Sequence, residues 1–180
     1  MNNAAARAAR IRLMVLDVDG VLTDGRLYFG PQGEALKAFD VRDGHGIKLL
    51  MAGGVEVAIL TARRSEIVAA RMRELGVARV LQGQSDKRGA LAALLAELGL
   101  EREQCGYMGD DLPDLGALQL AGFAAAPADA APEVLAAAHW VAPREGGRAA
   151  VRAAAEFVLR AQERWDSLLA SHVPTDGGSR

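Results

Sequence analysis

Short apolar runs alternate with longer amphipathic segments along most of this chain. The apolar runs cover residues 11–16, 55–60, 78–83, 105–109, 122–126 and 139–142. Between them lie segments with a helical spacing of apolar positions, at residues 46–53, 65–75, 86–99 and 113–122. Strands of about four to eight residues that alternate with helices of about ten to fifteen are typical of βαβ units. The pattern therefore predicts a parallel sheet flanked by helices. Ser65 and Gly76 predict the start and the end of the second helix.

Residues 26–41 depart from this alternation. They contain the turn sequence Gly-Pro-Gln-Gly between two runs of β character. Such a turn between strand-like runs is typical of a β-hairpin. We therefore predict a hairpin inserted between the first strand and the first helix, with Asp24 as a turn residue that leads into it.

The two ends of the chain also differ from the alternating part. Residues 148–170 have the spacing of one long helix, and residues 171–180 are rich in Gly, Ser and Pro. We predict one domain over residues 11–170, preceded by an N-terminal extension at residues 1–10. Residues 171–180 are predicted to form a flexible tail.

Composition argues against several classes of partner. The 180 residues suffice for one domain with a core, and the net charge of −2 with 4% aromatic residues disfavours nucleic acid and anionic membrane surfaces. Cys105 is the only cysteine, which fits a reducing compartment. No apolar run approaches the ~20 residues of a membrane span, and no secretion signal precedes the acidic residues. We therefore expect a cytoplasmic protein.

Polar side chains suited to phosphoryl transfer follow four of the predicted strands. They are Asp17 with Asp19, Thr61, Lys87, and Asp110 with Asp111 and Asp114. Taken singly, each has an ordinary interpretation as a turn or helix-capping residue. Because the carboxyl ends of parallel strands meet at one edge of a sheet, the four groups together predict a single site there.

The segments around these residues resemble a known superfamily. Residues 17–25 (DVDGVLTDG), 60–63 (LTAR), 84–91 (QSDKRGAL) and 109–114 (GDDLPD) resemble the four motifs of the haloacid dehalogenase-like phosphohydrolases. Residues 33–48 and 146–152 make the chain more similar, over roughly residues 11–160, to the family of 3-deoxy-D-manno-octulosonate 8-phosphate phosphatases. That resemblance implies a cytoplasmic, Mg²⁺-dependent and usually tetrameric hydrolase of lipopolysaccharide synthesis with a Rossmann-like α/β fold.

The resemblance also implies a role for each motif residue. Asp17 would be the nucleophile that forms an aspartyl-phosphate, and Asp19 the general acid and then base. Thr61 and Lys87 would bind the transferring phosphoryl group, where positioning and charge neutralisation dominate. Mg²⁺ would be held by the carboxylates of Asp17 and Asp110 and the main-chain carbonyl of Asp19. Asp111 and Asp114 would support the metal or orient Lys87.

Substrate contacts follow from the resemblance and from charge. Lys48 and Arg71 fit a solvated helix face equally well, whereas Arg63 follows Thr61 by two residues and could pair with a carboxylate. The candidate substrate-binding residues are Asp19, Asp40, Val41, Arg42, Asp43, Gly44, Lys48, Arg63, Arg71 and Lys87.

The spacing between motifs leaves no room for a cap domain. The residues between Asp17 and Thr61 hold only the hairpin and one helix, and those between Thr61 and Lys87 hold one helix and a short strand. We therefore predict a capless enzyme whose site is covered by neighbouring subunits. The resemblance implies a homotetramer in which hairpins from four subunits close into a barrel.

Three functions remain open at this point. The first is Mg²⁺-dependent hydrolysis of 3-deoxy-D-manno-octulosonate 8-phosphate. The second is the same reaction on a related nine-carbon keto-acid 9-phosphate. The third is a non-catalytic binding or assembly module on the same fold, against which the full set of Asp17, Asp19, Lys87 and Asp110 argues.

Overall fold

A six-stranded parallel sheet forms the centre of the structure, a computed structural model that describes residues 3–172. In chain order, the strands of the described residues are β1 (Leu13–Leu16), β2 (Tyr28–Gly30), β3 (Gly33–Leu36), β4 (Glu56–Thr61), β5 (Arg79–Gln82), β6 (Cys105–Met108), β7 (Phe123–Ala126) and β8 (Trp140–Val141). The sheet has the order β5-β4-β1-β6-β7-β8, and β2 and β3 form a separate antiparallel pair. All six predicted sheet strands and the hairpin are confirmed.

Helices cover both faces of the sheet. They are α1 (Ala4–Ala8), α2 (Val41–Ala52), α3 (Glu66–Leu75), α4 (Lys87–Leu98), α5 (Leu115–Leu120), α6 (Pro132–Ala137), α7 (Ala150–Ala161) and α8 (Trp165–His172), with short 3₁₀ turns at Arg102–Gln104 and Leu112–Asp114. Ser65 caps α3 by accepting a hydrogen bond from the Val68 amide, and Gly76 ends it with φ of 82°. Both predicted boundaries are confirmed.

The central strand β1 is buried on both faces. Met14 and Leu16 face one cluster with α2, α3 and α7, whereas Leu13 and Val15 face the other with α4, α5 and α6. A parallel strand covered by helices on both sides has a continuous apolar sequence, as residues 13–16 do. This layered arrangement is the predicted α/β class.

The strand order brings the motifs together. From β1 the chain builds outward through β4 and β5 on one side, and then through β6, β7 and β8 on the other. The loops that follow β1, β4 and β6 therefore adjoin at the carboxyl edge of the sheet. In open α/β sheets, ligands bind at such a change of direction.

The helix predicted at residues 148–170 is interrupted. Glu163 has φ of 57°, and the Arg164 amide donates to the Leu159 carbonyl at 2.8 Å, which ends α7 in a left-handed turn. The turn lets Trp165, at the start of α8, pack back as a buried residue. The amphipathic pattern continues through this turn, so the pattern alone could not show the break.

Both predicted terminal segments include helical residues. Helix α1 lies within residues 1–10; Ala8 in it is buried, and Arg7 Nη1 donates to the Gly122 carbonyl at 2.8 Å. Ser171 and His172 belong to α8. The remainder of the predicted tail lies outside the described residues. Within residues 3–172, no helix has the length and apolar character that crossing a bilayer requires.

Candidate active site

A tight loop after β1 presents Asp17 and Asp19 at the carboxyl edge of the sheet. The amides of Val21, Leu22 and Thr23 all point to the carbonyl of Val18, at 2.9 to 3.2 Å, so the chain turns at once. Gly20 within this turn has φ of 87°, and a Cβ there would collide with the Asp110 carboxylate. A glycine is therefore required where the loops of β1 and β6 meet.

Asp17 is a buried carboxylate with one paired and one unpaired oxygen. Its Oδ2 lies 2.9 Å from Lys87 Nζ. Its Oδ1 is buried and has no hydrogen-bond partner among residues 3–172. Burial and the charge of Asp114 raise the pKa of Asp17 to about 6, with Lys87 acting in the opposite direction.

Lys87 occupies the first position of α4, and Asp86 caps this helix. Its Nζ also lies 2.7 Å from Asp114 Oδ1. Burial disfavours the lysine charge, but Asp17 and Asp114 outweigh it and raise the pKa of Lys87. The residue is thus a fixed cation beside Asp17.

Asp114 is held by four donors. Tyr107 Oη donates to its Oδ1 at 2.6 Å alongside Lys87, and the amides of Asp110 and Asp111 donate to its Oδ2 at 3.1 and 3.3 Å. With both oxygens engaged, Asp114 orients Lys87 and the loop after β6. Asp111 accepts from the Leu112 amide at 2.8 Å and caps the following 3₁₀ turn.

The acidic cluster fits a divalent cation. Asp17, Asp110 and Asp114 each offer a carboxylate oxygen, and these atoms lie within 4.8 Å of one another. Burial, Asp17 and Asp114 raise the pKa of Asp110 to about 7. One lysine cannot balance three carboxylates, and a cation would also satisfy the unpaired Asp17 Oδ1. Mg²⁺ prefers such oxygen ligands. Since Asp114 is already saturated, Asp17 and Asp110 are the carboxylates free to bind it.

Thr61, Asp19 and Arg63 complete one wall of the site. Thr61 is buried at the end of β4, and Arg63 Nε lies 3.8 Å from Asp19 Oδ2. These residues, with Asp17, Lys87 and Asp110, line a cavity of about 260 Å³, here termed the catalytic cleft. The structure thus brings together all the motif residues that the sequence singled out.

Other predicted substrate contacts lie elsewhere. Val41, Gly44, Lys48 and Arg71 line a second cavity of about 410 Å³, here termed the helical groove, between α2 and α3. Arg71 Nη1 lies 2.9 Å from Glu74 Oε2.

Asp40, Arg42 and Asp43 have local partners. Asp40 caps α2 and pairs with Arg42 at 2.6 Å. Asp43 is buried, accepts from the Ala149 and Arg152 amides at the start of α7, and has a pKa raised by burial to about 6. Their assignment to the substrate stays a prediction.

Sequence reasoning missed two residues beside the cleft. Lys37, just after β3, is an almost fully buried cation that pairs with Asp19 and Glu34. Tyr107 holds Asp114 from within β6. Neither belongs to a chemical motif. The available signal was a lone lysine in an otherwise apolar stretch of the hairpin, and a lone tyrosine in a buried strand.

Comparison with known proteins adds independent observations. A family described as haloacid dehalogenase-like hydrolase matches residues 74–151. The 3-deoxy-D-manno-octulosonate 8-phosphate phosphatase of Yersinia pestis is 48% identical over 158 residues, which are 88% of this chain and 84% of the relative.

Solved structures agree with that relationship. A probable YrbI family phosphatase from Pseudomonas syringae superposes with a TM-score of 0.94 at 42% identity, over 97% of this chain and 99% of that one. The 3-deoxy-D-manno-octulosonate 8-phosphate phosphatase of Moraxella catarrhalis was solved with magnesium ion, phosphate ion and KDO. It superposes with a TM-score of 0.93 at 39% identity, over 96% of this chain and 99% of that one.

Proposed function

This chain belongs to the 3-deoxy-D-manno-octulosonate 8-phosphate phosphatase family of haloacid dehalogenase-like hydrolases, and from that membership we propose that it hydrolyses this sugar phosphate with Mg²⁺. The products are the free sugar acid, a precursor of lipopolysaccharide, and inorganic phosphate. The observation that carries the proposal is the contact of Asp17 with Lys87 at the edge of the sheet, beside Asp19 and Asp110.

The proposed reaction has two steps. In the first, a carboxylate oxygen of Asp17 attacks phosphorus, the bond from phosphorus to the sugar oxygen breaks, and Asp19 donates a proton to that oxygen. In the second, Asp19 takes a proton from a water molecule that attacks the aspartyl-phosphate. Inorganic phosphate leaves, and the Asp17 carboxylate is restored.

Charge neutralisation supports both steps. The substrate phosphate and the attacking carboxylate are both anionic, so a fixed cation must offset their repulsion. Lys87 supplies one, since Asp114, which is itself held by Tyr107, keeps it in place before the substrate arrives. The Thr61 hydroxyl adds a hydrogen-bond donor for the phosphoryl oxygens.

The metal would occupy the acidic cluster. Asp17, Asp110 and the main-chain carbonyl of Asp19 would hold it, and when bound it supplies positive charge that neutralises the phosphoryl oxygens. Asp110 stays next to Asp17 because Asp114 accepts hydrogen bonds from the amides of Asp110 and Asp111, in the loop after β6.

Assembly into a homotetramer in the cytoplasm is part of the proposal. The hairpin exposes apolar side chains that a monomer would leave in water, with Phe29 65% and Leu36 50% exposed. The helical groove with Lys48 and Arg71 is separate from the catalytic cleft of the same chain. We therefore propose that these two cations meet a substrate carboxylate in the cleft of a neighbouring subunit.

Phosphate release tests the proposal. Purified protein should release inorganic phosphate from 3-deoxy-D-manno-octulosonate 8-phosphate when Mg²⁺ is present and stop when it is chelated. Asp110→Asn is the matched control, because it keeps the side-chain shape and removes a metal-binding charge. Absence of Mg²⁺-dependent release from this substrate would refute the proposed function.

A further inference from the structure

Lys37 is the least expected charge in the molecule. It follows β3 of the hairpin, and its side chain is only 1% exposed. Burying an ammonium group is costly unless anions surround it. Two carboxylates do so: Lys37 Nζ contacts Asp19 Oδ1 and lies 3.0 Å from Glu34 Oε1. A lysine placed this way holds the carboxylates of Asp19 and Glu34 in fixed positions.

The second carboxylate ties the hairpin to α3. Glu34 accepts a hydrogen bond from the Ser65 hydroxyl through its other oxygen. Ser65 caps α3, and its amide is bound by Gln82 at the end of β5. Strand β3, which Lys37 directly follows, is therefore anchored to the start of α3 and the end of β5, and this anchoring holds the Nζ that contacts Asp19.

The two oxygens of Asp19 are not equivalent. Its Oδ1 is occupied by Lys37, whereas its Oδ2 lies 3.8 Å from Arg63, a residue of the catalytic cleft. An oxygen that accepts from an ammonium group cannot also direct a proton towards a substrate. Oδ2 is therefore the oxygen that can donate a proton to, and accept a proton from, a group in the catalytic cleft.

We propose that Lys37 is a positioning residue that fixes Asp19 with Oδ2 towards the leaving oxygen, so that a buried contact of the hairpin aligns the proton donor. This inference rests on the acid role of Asp19 in the proposed function. In the first step, the proton on Oδ2 passes to the leaving oxygen as the phosphorus–oxygen bond breaks. In the second, Oδ2 accepts a proton from water.

The leaving group distinguishes this role from a merely structural one. Phenyl phosphate and sugar phosphates release a basic oxygen that needs a proton, whereas 4-nitrophenyl phosphate releases one that does not. The constant kcat/KM reports the first step, before water attacks. A misaligned Asp19 therefore lowers kcat/KM for phenyl phosphate and leaves kcat/KM for 4-nitrophenyl phosphate almost unchanged.

The test compares Lys37→Met with Asp19→Asn on these two aryl phosphates. Asp19→Asn should lower kcat/KM by about 100-fold or more with phenyl phosphate and by less than about threefold with 4-nitrophenyl phosphate. Lys37→Met should show the same pattern. Lys37→Arg keeps a buried charge, so its loss of kcat/KM with phenyl phosphate should be smaller, at about tenfold. Arg102→Met, at an exposed position away from the cleft, controls for the loss of a cation.

The outcomes separate the claims. Equal losses on both substrates in Lys37→Met, or no loss on either, would overturn the positioning role. If Lys37→Met does not fold, Lys37→Arg decides, and wild-type values on both substrates would overturn it. Lack of selectivity in Asp19→Asn would refute the acid role itself and the inference with it. Since aryl phosphates carry no sugar, failure on the sugar acid phosphate alone would refute only the proposed substrate.

Discussion

Lys87 Nζ lies 2.9 Å from Asp17 Oδ2, and the two side chains are only 4% and 8% exposed. The cation that phosphoryl transfer requires is therefore beside the proposed nucleophile before any substrate binds. Such preorganisation removes the need to reorient charges during the reaction. The arrangement depends on Asp114, which the motif resemblance offered, together with Asp111, as a residue that would support the metal or orient Lys87.

Replacing Lys87 tests this relationship. Lys87→Met keeps the length of the side chain but removes the charge that offsets repulsion between phosphate and Asp17. We expect kcat/KM for the sugar acid phosphate to fall by about 1,000-fold. Tyr107→Phe, which removes one of the donors to Asp114, should cost much less. A loss below about tenfold in Lys87→Met would contradict the role of the lysine.

Replacing Asp17 tests the nucleophile. Asp17→Asn has nearly the same shape but cannot form the aspartyl-phosphate, so turnover should be abolished. Circular dichroism and thermal unfolding should show a folded protein, because the neighbouring Asp114 still pairs with Lys87. Substantial residual turnover in a folded Asp17→Asn variant would exclude Asp17 as the attacking group.

The acidic cluster predicts a pH-dependent stabilisation by metal. The pKa values of Asp17 and Asp110, about 6 and 7 in the metal-free fold, lie above the ordinary value of 3.8. The fold thus binds more protons than the unfolded chain between about pH 4 and pH 7, and its stability falls as pH rises through that window. Mg²⁺ offsets the negative charge of these carboxylates at high pH and competes with protons for them at low pH.

Thermal unfolding with and without Mg²⁺ measures this effect. The rise in Tm on adding Mg²⁺ should be larger at pH 8 than at pH 5. Asp110→Asn should reduce the rise at pH 8. An equal rise at both pH values, or a larger one at pH 5, would contradict metal binding by these carboxylates.

Complementation between subunits tests the assembly. If Arg71 serves a neighbour's cleft, Arg71→Ala and Asp17→Asn chains impair different halves of a shared site. Each variant alone should have little activity, whereas co-expressed mixed oligomers should regain about a quarter of the wild-type value by random association. Size-exclusion chromatography should give a tetramer. No recovery in mixed oligomers would place the function of Arg71 within its own chain.

The sheet and the motif residues could be predicted because both follow from local pattern. Each strand is a short apolar run, and Asp17, Thr61 and Asp110 come at or just after a strand end, where parallel strands share an edge. The position of Lys37 could not be predicted. It depends on how the hairpin folds back over the β1 loop, which is a long-range contact that leaves no periodic signal in residues 26–41.

The end of α7 shows a similar limit. Residues 148–170 have a continuous helical pattern, yet Glu163 adopts a left-handed conformation without a glycine to signal it. Burial of Trp165 against α7 compensates the local cost. Likewise, the predicted substrate contacts of Lys48 and Arg71 would need a partner subunit, because these residues line the helical groove and not the catalytic cleft.

The most direct test compares two substrates on one preparation of the wild-type protein. With Mg²⁺ present, kcat/KM should be at least about tenfold higher for 3-deoxy-D-manno-octulosonate 8-phosphate than for a nine-carbon keto-acid 9-phosphate. An added carbon changes the distance between carboxylate and phosphate, so both ends cannot be bound equally well. An equal or higher value for the nine-carbon substrate would contradict the proposed function.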